Sequence, residues 1–188
     1  GQLVTNSGDV HLSSLGSIIN SANAGQVAIQ ANNLTVSAAN GTIGTVDNKL
    51  TIQLDGFQGT LSNGTSTIKE GTLSAVASGG IYVDQKVYDL AINNISSGGD
   101  IDLSADKSIF MEIVNGTDAV NYIRAENNGN ITLVARDGSL GKAYAGGRNT
   151  NNGIRILNDS GFATSANDEN ITIVTLKASD DIYVTGVA

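Results

Sequence analysis

The chain has 188 residues, a formal net charge of −8 at pH 7 and an isoelectric point near 4.4, and its ten Lys and Arg are scattered. That balance disfavours attraction to a nucleic-acid backbone or an anionic membrane, so no nucleic-acid partner is expected. Cys, Pro and Trp are absent and Phe numbers 3: disulfides, thiolate metal sites and a Cys nucleophile are excluded, and Val, Ile, Leu and Ala have to fill the core.

Apolar and polar residues alternate over 8–12 (GDVHL), 27–29, 34–36 and 50–54, the period of two that marks short half-buried strands. Residues 56–64 (GFQGTLSNG) are turn-rich, with Leu61 as their strand-forming centre. Ile68, Leu73 and Val76 lead to Ile81 and Val83, then Leu90 and Ile92 precede a corner at 96–99 (SSGG). Ile101 and Leu103 restart the alternation, the run 109–114 (IFMEIV) lacks it, and 120–123 and 131–133 follow. Residues 142–153 (KAYAGGRNTNNG) read as the exposed loop before the pairs Ile154 and Ile156, Ile171 and Ile173, and Ile182 and Val184. The corners are Asn, Asp, Ser and Gly, residues that tolerate left-handed backbone. With no Pro among them, every backbone donor stays available for ladders.

An internal echo organises the chain. Residues 130–141 (NITLVARDGSLG) answer 33–44 (NLTVSAANGTIG), and the offset from residue 33 to residue 130 is 97. Residues 8–12 return at 99–103 and residues 77–83 at 178–184, with offsets of 91 and 101 from the first residue of each. This spacing predicts two copies of one unit, over 8–98 and 99–188, within one continuous solenoid spanning 1–188. The expected fold is all-β, a right-handed parallel β-helix with coils of roughly 20 residues about 4.8 Å apart. On that count roughly nine coils make a rod of about 45 Å, with Asn and Thr stacked at the corners. Tandem β-sandwich modules of just under a hundred residues are the alternative. Neither 1–7 nor 181–188 reads as a cap, which leaves open strand edges, and a chain opening at Gly1 reads as a mature product or an excised piece.

Few residues suggest chemistry. His11 is the only histidine, so neither a His-based triad nor a multi-His metal site is available, and it reads as an outward strand position. Asp180 and Asp181 compare with the carboxylate pairs that cleave sugar bonds, yet Gly79 and Gly80 occupy their slot in the first copy, which points to a turn. Asp9, Asp100, Asp102, Asp180 and Asp181 supply oxygen ligands for calcium without the spacing of a known calcium loop. Asn33, Asn63, Asn94, Asn115, Asn130 and Asn170 open Asn-x-Ser/Thr triplets and read as corner Asn followed by strand Thr. No catalytic, cofactor or metal site is assigned, and residues 142–153, with Tyr144 and Arg148, form the candidate recognition loop.

The stretches 98–109 (GGDIDLSADKSI), 33–56 with its NLTVSAANGTIGT and NKLTIQLDG segments, and 73–85 (LSAVASGGIYVDQ) resemble repeats of large bacterial filamentous adhesins of the filamentous-haemagglutinin type, including leukotoxin-like filamentous adhesins. The resemblance covers nearly the whole chain, apart from 110–128 and 142–153. It implies a secreted β-helical stalk at the bacterial cell surface, without catalysis, in a protein that attaches to a receptor or glycan of a host or neighbouring cell. Adjacent repeats would continue it at both ends. The alternatives are a fibre subunit that associates head to tail and a polysaccharide lyase or hydrolase on the same rod.

Overall fold

The structure, a computed structural model, describes residues 1–5, 8–23, 25–55, 57–60, 66–69, 71–112, 121–127, 129–141, 153–158 and 174–183. Among the described residues there is no helix. The strands are β1 (Leu3–Val4), β2 (Val10–Ser14), β3 (Ile29–Ala31), β4 (Leu34–Ala38), β5 (Leu50–Leu54), β6 (Phe57–Thr60), β7 (Ser66–Lys69), β8 (Thr72–Ala77), β9 (Ile81–Gln85), β10 (Leu90–Ser97), β11 (Ile101–Ala105), β12 (Ile109–Met111), β13 (Ile123–Ala125), β14 (Ile131–Ala135), β15 (Ile156–Asn158) and β16 (Val174–Ala178).

Two parallel sheets hold all but β6 and β7. The first runs β1-β3-β5-β9-β11-β14-β16, the second β2-β4-β8-β10-β13-β15, with β12 beside the first half of β10. Each turn of chain contributes a strand to each sheet and lies in register on the turn before, as Ile81, Ile101, Ile131 and Val174 do. This is the parallel β-helix that the alternation predicts. The tandem-sandwich alternative falls, because sandwich modules are antiparallel and the antiparallel pairing found among the described residues is the hairpin β6–β7.

The coil count differs from expectation. The first sheet has seven strands, not nine, so its rungs span about 29 Å at the usual strand spacing. Insertions account for the difference. Ile81 pairs with Ile101, a bare coil of 20 residues, whereas Ile101 pairs with Ile131 and Leu34 with Leu73, coils of 30 and 39. The hairpin β6–β7 occupies the longest of these three, and in another β10 takes two partners in succession, meeting β12 at Ile92 and β13 at Ile95.

Inward side chains stack in lines. Val83, Leu103 and Leu133 form one, and Val36, Ala75, Ile95 and Ile123 another, all buried. The last inward position narrows to Ala or Ser on several strands, at Ala38, Ala77, Ser97 and Ala125 on one sheet and Ala105 and Ala135 on the other, whereas β5 ends on Leu54 and β9 on Gln85. At the Ala and Ser positions the chain turns into a corner and leaves little room inside. This pattern explains the echo: residues 34–38 lie on the second sheet and residues 131–135 on the first. The shared motif is a strand with its corner, usable on either sheet.

The corners are fastened from coil to coil. Asn20 and Asn48 bond each other through Nδ2 to Oδ1 at 3.3 Å and Nδ2 to a backbone oxygen at 2.8 Å. Asn33 Oδ1 accepts from the Thr72 amide and hydroxyl at 2.9 Å, while its Nδ2 donates to Asp9 at 2.8 Å. Asp89 and Asp100 accept from the amides of Ser108 and Asn130. Backbone contact is closest at Gly98, where an added Cβ would fall on the Ser78 carbonyl.

Candidate functional site

The outer face of the first sheet carries the one dense set of charged side chains among the described residues. Because Val83 points inward, its neighbour Asp84 points out, level with Ser104 on β11. Asp84 is nonetheless only 8% exposed, since long side chains from neighbouring coils reach over it. Arg136 Nη1 lies 2.8 Å from Asp84 Oδ1 and 2.8 Å from Asp106 Oδ1, and Lys86 Nζ lies 2.9 Å from Asp84 Oδ2. Ser104 Oγ donates to Asp84 Oδ1 at 3.0 Å and accepts from Lys49 Nζ at 3.3 Å. Lys49 Nζ is also 2.7 Å from Asp102 Oδ1, an ion pair whose angle is not that of a hydrogen bond. Lys107 and Asp137 pair at the rim.

Electrostatics fixes the protonation states. Burial pushes the Asp84 carboxyl up, but hydrogen bonds and charge from Arg136 and Lys86 outweigh it and hold the group below the usual carboxylate range. Arg136 answers in kind: burial lowers it, and Asp84 and Asp106 more than compensate. Tyr82 is raised by burial and by the nearby Asp100 and Asp102. A carboxylate kept ionised is a poor general acid, and the Ser104 proton is committed to it while Ser104 itself is buried. The arrangement joins the coils of β5, β9, β11 and β14.

The residues singled out in the sequence do not converge. His11 is exposed on β2 opposite Thr35. Asp180 and Asp181 are exposed at a corner, where Asp181 Oδ2 accepts from the Tyr183 hydroxyl at 2.8 Å and raises its pKa. Asp9 and Asp100 serve the corner bonds above, Asp102 serves Lys49, and among the described residues no three His, Cys, Asp or Glu are grouped to hold a metal ion. Asn33 and Asn94 sit at strand or coil junctions, Asn94 Oδ1 accepting from the Tyr122 amide at 3.3 Å. Leu61, Asn63, Asn115, Asn170, Ile171, Ile173, Val184 and residues 142–152 lie outside the described residues.

Besides the charged set, two features were missed from sequence. Gln85 is wholly buried: its Oε1 accepts from the Leu54 amide at 3.0 Å, and its Nε2 donates to the Leu54 and Asp89 carbonyls at 2.9 and 3.2 Å. It substitutes for a peptide unit where β9 ends beside β5. The outer face of the second sheet is short and uncharged over Ser37, Val76 and Ser96, forming an open groove of about 500 Å³ that Glu126 and Asn127 border. No family model matches the chain, and no curated protein or solved structure does.

Proposed function

We propose that the chain is a non-catalytic structural and binding segment, a stalk, of a secreted filamentous adhesin at the bacterial cell surface. The observation that supports this most is the engagement of charged groups between coils: Asp84, Asp106, Lys86 and Arg136 hold one another across successive coils, as a rod under load requires. The resemblance of residues 33–56, 73–85 and 98–109 to adhesin repeats agrees with it. In this reading attachment to a receptor or glycan belongs to the full-length protein, and the segment sets distance.

Replacing residues 8–183 in the parent polypeptide by an unrelated solenoid of equal rung number tests the reading. Attachment at near-native level is expected. Export without attachment would overturn it, as would cleavage of a pectin-like or glucan polymer by the chain that disappears when Asp180→Asn and Asp181→Asn are combined. A second reading, a fibre subunit that adds head to tail, is favoured by exposed apolar side chains on the first coil, Leu3, Val4, Leu15 (80% exposed) and Ile19. Sedimentation that grows heavier with concentration would select it.

A further inference from the structure

The outer faces of the two sheets differ in how their polar groups are engaged. On the first, Lys49, Asp84, Ser104 and Arg136 bond one another. On the second, two columns of outward side chains cross the coils of β4, β8 and β10 in register: Thr35, Ser74 and Asn94 in one, Ser37, Val76 and Ser96 in the other. All six are uncharged. Among the described residues the hydroxyls of Thr35 and Ser96 and the Asn94 side-chain amino group have no protein partner, while Asn94 Oδ1 accepts from the Tyr122 amide. Val76, 54% exposed, lies between the two short serines, so its methyl groups floor the open groove of about 500 Å³. At the border with the next coil Glu126 is paired with Arg124 at 3.5 Å.

We propose that this face binds a neutral polysaccharide, laid along the rod axis across β4, β8 and β10. Similar chemistry returns at each rung, about 4.8 Å on, which suits a polymer better than a single small molecule. An extended polypeptide advances about 3.3 Å per residue and is out of step at every other rung, and its backbone groups pair with a sheet edge, not a sheet face. A polyanion is opposed by a chain of net charge −8 with no cation among these six side chains. An extended sugar chain advances by close to one rung per ring. Each ring carries hydroxyls that donate and accept, as Thr35, Ser96 and Asn94 do, and a C–H face that can cover the Val76 methyl groups. Binding here is independent of the stalk reading, since a rod that bound no sugar would still set distance.

Calorimetric titration of the full chain with cellohexaose, xylohexaose and mannohexaose tests this. Saturable binding of at least one is expected, tighter than that of its own dimer by about 10-fold or more, because each further rung adds contacts. Val76→Lys fills the groove from an exposed position and is expected to weaken that binding about 10-fold or more, and Thr35→Val, which removes one hydroxyl, about 5-fold. Thr132→Lys, on the outer face of the first sheet, is expected to leave it unchanged. All three changes lie outside the core, and urea midpoints matching wild type show that the fold is kept. No saturable binding of any of the three hexasaccharides would overturn the proposal. So would equal affinity for dimer and hexamer, full binding by Val76→Lys, a loss in Thr132→Lys as large as in Val76→Lys, or tighter binding of polygalacturonate than of the neutral sugars.

Discussion

Replacing Gln85 by Met is a test of the idea that a single amide completes the ladder at the end of β9. Met matches Gln closely in volume, so the change adds no cavity. It leaves the Leu54 amide and carbonyl, at a residue that is 0% exposed, without the partners now 3.0 and 2.9 Å away, and also removes the 3.2 Å bond to the Asp89 carbonyl. Each buried group left unsatisfied costs about 1–3 kcal/mol. Two at Leu54, offset in part by the greater hydrophobicity of Met, give a loss of about 3 kcal/mol. For a chain of this size that lowers Tm by about 6–12 °C, with the urea midpoint falling and the slope unchanged. Gln85→Glu is expected to be at least as damaging at neutral pH, since a carboxylate cannot donate to Leu54 and Asp89. A Met variant within about 0.5 kcal/mol of wild type would refute the peptide-like role assigned to this side chain.

Arg136→Met removes the partner shared by Asp84 and Asp106 and is expected to cost about 1–2 kcal/mol at neutral pH, the guanidinium being partly exposed. The depressed pKa of Asp84 means that its contribution is present above about pH 4 and is lost as pH falls through its lower folded value. With Arg136 gone that value rises, so acid unfolding followed by circular dichroism begins at higher pH than in wild type. Leu103→Ala opens a cavity in the line Val83, Leu103, Leu133 and is expected to cost about 2–5 kcal/mol by urea titration. Gly98→Ala places a methyl group on the Ser78 carbonyl, where no flexible side chain can yield, and is expected to lower stability by more than about 3 kcal/mol; an unchanged urea midpoint would show that the corner can shift.

The strands were legible because inward positions alternate over most of them: Ile101, Leu103 and Ala105 are buried and Asp102 lies between them, as its sequence slot predicts, while β10 breaks the period at a bulge between Ile92 and Asn94. Coil length was not, since the hairpin β6–β7 inserts between rungs without disturbing the apolar period on either side. The echo between 33–44 and 130–141 was real as a motif, but its place in space depends on how many half-turns intervene, and that number is invisible without the insertions. The charged set was hidden for the same reason. Lys49, Asp84, Asp106 and Arg136 meet only once the coil lengths bring distant segments level. Gln85 was missed although the period of two places it inward with Ile81 and Val83, because a polar residue at the end of an apolar run reads as the start of a corner.

The hairpin β6–β7 leaves the helix at one of the bends between sheets, after β5 and before β8, and the stack resumes in register, as Leu34 on β4 and Leu73 on β8 show. Such a scaffold separates novelty from stability. New peptide grown at these bends need not fold on its own account to be displayed, and the rungs above and below keep their bonds whatever is added, so a lineage or an engineer can change what the rod shows to its surroundings without renegotiating how it stands.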